Sequence, residues 1–170
     1  MIKEVIIDDF RKIRVWVGEL PFECFDVENI DNPHEAYNKY AVELKNGITC
    51  NNNYALLGGT FRKDISCKNI NVTIKGSLSF EDKYFSDYSA PDDTPMIGIN
   101  SEIIKWVNEF ETCTSCPGEL IINCAAFAPI GSSKNCFKSA YDLLINIIDC
   151  QNNKSDFDVF IKRCHDILIH

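Results

Sequence analysis

Apolar and polar positions alternate through much of the first half of the chain and recur every three or four residues through much of the second. Residues 12–17 give the plainest strand: Ile13, Val15 and Val17 alternate with Lys12, Arg14 and Trp16, which puts Trp16 on the polar side. Residues 3–10 read as a strand with Val5 and Ile7 facing one way and Ile6 the other. Residues 19–31 fit a strand or a loop, with a short strand over 23–27 favoured; Asn32-Pro33 predicts a break, and residues 33–37 one helical turn. The alternation of residues 40–45 ends at Asn46-Gly47, a hairpin signal, so residues 48–50 are expected to begin a return strand and Asn51 to Asn53 a polar turn. Residues 54–63 predict a strand with a bulge at Gly58-Gly59. Residues 69–80 predict one strand bent at Gly76, and residues 81–95 a long loop.

The pattern then changes. Asn100 or Ser101 can cap a helix over 100–110, with Ile103, Val107 and Phe110 on its apolar stripe. Residues 118–128 form a nearly continuous apolar run, read as a buried strand, and residues 129–133 turn the chain. A helix over 133–150 follows, with Cys136, Phe137, Ala140, Leu143, Leu144, Ile147 and Ile148 on one stripe. After a break at Asn152-Asn153, Ser155 opens a capping-box variant for a helix over 156–168. Strands first and helices later predict an α+β fold: a mostly antiparallel sheet of about five to seven strands from the first half, with three helices from the second half packed on it. No linker or repeat divides the chain, so residues 1–170 are expected to form a single globular domain.

Charge changes the picture more than composition does. The formal net charge is -8, which argues against direct nucleic-acid binding, because that needs a basic face, and favours a basic protein partner. The first ten residues make no signal peptide, since their apolar run is short and broken by acids. No stretch reaches the ~20 apolar residues of a membrane span. A cytoplasmic chain without membrane contact is the expectation. Nine cysteines cannot all pair within one chain and are expected to stay reduced.

Candidate chemistry is sparse. Cys113 and Cys116 have the spacing of half a zinc site or a redox pair, but no second such pair exists and the motif follows a helix rather than opening one, so neither metal nor redox work is expected. Pro129, Gly131, Ser132 and Ser133 resemble part of the phosphate loop of certain small-molecule kinases. That likeness implies a nucleotide- or small-molecule-binding enzyme, whereas a turn with a serine N-cap accounts for the same residues. Cys164 and His165 are adjacent, so on a helix they point about 100° apart and form no nucleophile–base pair. No hydrolase, nucleotide-loop, zinc-protease or dinucleotide motif is present. A binding protein without a cofactor is expected ahead of an enzyme, with a structural adaptor as a further alternative.

Two segments join acids to aromatics, residues 19–31 and residues 81–93. The second carries Glu81, Asp82, Tyr84, Phe85, Asp87, Tyr88, Asp92 and Asp93, and is the expected partner-binding surface. Aromatic side chains supply contact energy, and carboxylates can occupy a basic cleft where substrate phosphates would sit. The aromatics of residues 19–31 are expected in the core. In size, charge and lack of catalytic motifs the chain resembles the bacterial immunity proteins of contact-dependent and polymorphic toxin systems. That resemblance implies a cytoplasmic inhibitor that occludes the active site of a cationic, nuclease-like toxin domain.

Overall fold

A computed structural model describes residues 1–27, 37–47, 53–112, 116–153 and 156–169, and only the backbone of residues 78–81. It forms one eight-stranded sheet with three helices on one face, the α+β arrangement expected. The strands are β1 (Ile2–Asp8), β2 (Arg11–Val17), β3 (Asn38–Asn46), β4 (Tyr54–Lys63), β5 (Ile70–Ile74), β6 (Ser77–Lys83), β7 (Met96–Ile99) and β8 (Gly118–Phe127). The helices are α1 (Ser101–Glu109), α2 (Lys134–Asn152) and α3 (Phe157–Ile169). Strand order is β1-β2-β3-β4-β8-β7-β6. β5 joins β8 in parallel beside its first half, and β7 joins it antiparallel beside its last two residues.

The helices lie where the alternation points. Ile13, Val15, Tyr40, Val42, Leu44, Ala55, Leu57 and Phe61 face the helices, and Phe137, Ala140, Leu143, Leu144, Ile147 and Ile148 of α2 are buried in the same core. Ser133 caps α2 by accepting from the Cys136 N–H, and Asn100 caps α1 by accepting from the Ile103 N–H. β8 is apolar along most of its length, Glu119 and Asn123 excepted, because it is central and both of its faces are covered. Its bulge lies opposite Gly58 and Gly59, as expected, but the extra residue is Asn123 on β8. Side chains at both glycines are excluded: a Cβ on Gly58 would sit 2.6 Å from that of Ala41, and one on Gly59 2.5 Å from the Ile121 carbonyl oxygen. The inserted Asn123 switches the side-chain phase, so Ile122 and Ala125 face the helices whereas Cys124 and Ala126 face away.

Several local expectations are corrected. Residues 69–80 form two strands, because the first pairs with β8 and the second with β7. β6 extends to Lys83, which shortens the expected loop, and β7 is an additional strand. Residues 23–27 form no strand; Cys24 meets β8 between the stretches that pair with β5 and β7, its N–H bonded to the Asn123 carbonyl at 2.7 Å. The hairpin between β3 and β4 closes further along than Asn46-Gly47, through the Asn46 N–H to the Asn53 carbonyl at 2.9 Å. The helical turn at 33–37, apart from Tyr37, and the return strand at 48–50 lie outside the described residues, as do Ser155 and its capping role. No helix among the described residues is long and apolar enough to cross a membrane.

Candidate functional site

The face of the sheet away from the helices is organised in three cross-strand rows. The pairing aligns Ile2, Trp16, Ala41 and Gly58 in one row. The next aligns Glu4, Arg14, Glu43 and Leu56, and the third Ile6, Lys12, Lys45 and Tyr54. Simple alternation would leave this face in solvent. Instead residues 20–22 and 84–88 cover it, and Trp16, Tyr54, Leu56, Tyr88 and Cys124 form a second buried cluster. Trp16, grouped by alternation with lysine and arginine, is 5% exposed.

Glu43 is the polar centre of this layer and is fully buried. Tyr54 Oη and Ser86 Oγ each donate to its Oε2 at 2.7 Å, and Arg14 Nη1 approaches its Oε1 at 3.2 Å. Burial pushes the Glu43 carboxyl above its ordinary range; the two hydroxyls and Arg14 only partly oppose this. Arg14 also bonds Glu4 and Asp87, each with a contact at 2.8 Å, and lies 4.5 Å from the Tyr88 ring centroid. Desolvation works against the guanidinium charge, but these carboxylates outweigh it and raise its pKa. Asp87 is likewise desolvated in part, yet its bond to Arg14 holds it below the usual carboxylate range. Burial, followed by the nearby Glu43 charge, pushes the Tyr84 phenol up to about 12.

The loop after β6 is therefore fixed from beneath. Tyr88 is 1% exposed and its hydroxyl donates to Glu4 at 3.2 Å. Ser86 Oγ accepts from the Tyr88 N–H while donating to Glu43. Tyr84 meets Phe22 edge-on at 5.1 Å and its N–H bonds the Pro95 carbonyl. Asp93, 5% exposed, accepts from the Ile130 and Gly131 N–H groups at 2.9 and 2.7 Å. These bonds divide the expected partner residues into two sets. Asp82, Phe85, Asp87 and Asp92 are exposed, Phe85 at 83%. Tyr84, Tyr88 and Asp93 position the loop, and Tyr88 and Asp93 are too buried to meet a partner directly. The Glu81 side chain lies outside the described residues.

The turn after β8 uses its donors internally. Asp93 takes two of its N–H groups, the Ser132 N–H bonds the Ala128 carbonyl, and Ser132 Oγ donates to the Tyr54 carbonyl at 2.7 Å. Ser133 is the N-cap. A carboxylate of the chain thus sits where a phosphate loop would hold its ligand. In the other acidic-aromatic segment, Phe22 and Phe25 pack on the two sides of the sheet and Glu23 pairs with Lys39. Cys116 is buried, Cys113 lies outside the described residues, and no group of three or more potential metal ligands occurs among the described residues. Hollows of 260, 340 and 530 Å³ along α2 and α3 share Arg163 and mix both charge signs.

Arg14, Glu43, Tyr54 and Ser86 escaped the sequence reading. A glutamate inside Tyr40-Ala-Val-Glu-Leu44 was the available signal: a charge in a strand where both flanking residues are apolar. Comparison with protein families, with curated proteins and with solved structures finds no match.

Proposed function

We propose that this chain is a non-catalytic acidic binding protein that neutralises a cationic protein partner, as an immunity protein does when it occludes a toxin's active site. One observation carries the reading. A loop anchored by Glu43, Arg14 and Asp93 holds Phe85 in solvent among the exposed carboxylates of Asp82, Asp87 and Asp92. A large exposed aromatic on a pre-ordered loop loses little entropy on binding, and the surrounding acids steer a basic partner towards it. Glu43 supports this reading over catalysis: its carboxyl is sealed under Ser86 and Tyr54, out of reach of a substrate.

The test is to recover the partner from the source cell and assay that partner's own catalytic activity with increasing amounts of this chain. Inhibition complete at one equivalent is expected. Phe85→Ala should speed dissociation on the order of tenfold or more, while Asp92→Asn should slow association at low salt and lose that effect at high salt. A partner that stays active at saturation would sink the reading, and unchanged kinetics for both variants would place the interface elsewhere.

A further inference from the structure

β1 is the end strand of the sheet: no described segment pairs with its outer edge. Met1 and Val17 exchange N–H···O bonds in both directions, each at 2.8 Å. Antiparallel pairs alternate, so Lys3 and Val5 also turn their backbone groups towards β2. Ile2, Glu4 and Ile6 turn theirs outward, before the irregularity between Ile6 and Asp8. Their side chains stand on the face away from the helices, in the rows of Trp16, Arg14 and Lys12. Ile2 and Ile6 are 52% and 56% exposed. An open edge flanked by exposed isoleucines invites another strand.

We propose that this edge is a strand-addition site for an extended basic segment of the cationic partner, with an apolar–basic–apolar alternation facing Ile2, Glu4 and Ile6. The inference rests on the reading of a cationic partner given above. Charge selects the occupant. Arg14 lies beneath at 19% side-chain exposure, while the carboxylates it holds, Glu4 and Asp87, stand out at 39% and 69%. An incoming strand therefore meets acid, and a lysine or arginine opposite Glu4 satisfies it. A second copy fits worse. The two-fold register that sets Ile2 against Ile6 places Glu4 directly opposite Glu4, and each copy carries a net charge of -8. The edge also continues into the loop, since the Tyr88 hydroxyl bonds Glu4 and Asp87 bonds Arg14. One partner can use both surfaces, with main-chain bonds adding affinity and alternate side chains adding specificity.

The probe is a short synthetic threonine-rich strand peptide carrying isoleucine, lysine and isoleucine on one face, with a twin in which glutamate replaces the lysine. Amide hydrogen exchange is read on the whole chain. The lysine peptide should slow exchange at Ile2, Glu4 and Ile6 on the order of tenfold, and leave Lys3 and Val5 unchanged because their amides are already bonded. The glutamate twin should not do so. Ile6→Pro removes an outward N–H without removing a ladder bond and should abolish the effect, whereas Ile6→Thr should keep it even if the proline variant proves unstable. Absent protection, or equal protection by both peptides, overturns the proposal. Protection that rises with protein concentration alone assigns the edge to a second copy and overturns it too. The two readings fail separately: if Ile6→Pro leaves the recovered partner's affinity unchanged while Phe85→Ala lowers it, the edge proposal falls and the inhibitor reading stands.

Discussion

Glu43 decides most of what the far face of the sheet can do. Its carboxyl is held by two hydroxyls and a guanidinium, and burial raises its pKa in the folded chain. The folded state therefore binds this proton more tightly than the unfolded state. The stability it contributes is complete below the unfolded pKa and is lost as pH rises through the folded one. Glu43→Gln removes the titration but keeps an acceptor for Tyr54 and Ser86. The variant should gain stability relative to the native chain between about pH 4 and about pH 7, read from urea midpoints at both. Asp87, held low by Arg14, titrates in the opposite sense and below the ordinary carboxylate range, so its contribution changes mainly below this window. A difference independent of pH would show that Glu43 keeps an ordinary carboxyl in the folded chain. Glu43→Leu leaves the two hydroxyls and Arg14 without their shared acceptor and should cost about 3 kcal/mol.

At the scale of elements, the loop and the turn after β8 act as one piece, because a single carboxylate joins them. Asp93→Ala removes two charge-assisted bonds and should cost about 2–3 kcal/mol, with faster amide exchange at Ile130 and Gly131. Asp92→Ala, one residue away and exposed, should leave stability within about 0.5 kcal/mol. Equal losses from both would show that Asp93 does not hold the loop to the turn. That pair also marks how far the sequence could be read. Asp92 and Asp93 are the same residue type in the same acidic stretch, and what separates them is a turn 37 and 38 residues further along the chain. The stripe of α2 was legible because a helix carries its packing face in its own period. β4 was legible to the residue for the analogous reason of length and apolar content. β5 and β6 merged in the reading because the division between them is made by which strand each one meets. Alternation placed Arg14 and Trp16 on one face correctly, but it carries no information about whether a loop covers that face.

For the whole molecule, charge and thiols set the expected behaviour. Among the described cysteines, Cys24 and Cys67 are partly buried, and Cys116, Cys124, Cys136, Cys150 and Cys164 are buried. Burial pushes the Cys124 and Cys164 thiols up, which keeps them protonated and unreactive. No described group of side chains can hold a metal ion with three or more ligands, so a chelator should leave the melting temperature unchanged. A lowered melting temperature, or stoichiometric zinc in the purified protein, would contradict this. Sheet, helices and far-face cover share one scaffold, so variants in the anchoring layer such as Glu43→Leu need a stability check before any loss of binding is assigned to the partner surface.

The position of β8 has a consequence for how the chain is made. β1 to β4 form a meander in which each strand pairs with the one before it, so that half of the sheet can assemble as it emerges from the ribosome. β5 and β7 then have no place in the sheet until β8 arrives, and Thr60 on β4 meets Asn123 on β8 across 63 residues. At ~5–20 residues per second, synthesis leaves the inner edge of β4 waiting for roughly three to ten seconds. During that interval an apolar edge is open to any neighbouring nascent chain. The late central strand therefore makes aggregation during translation the main hazard of this fold, and slower synthesis across residues 64–117 would lengthen the exposure.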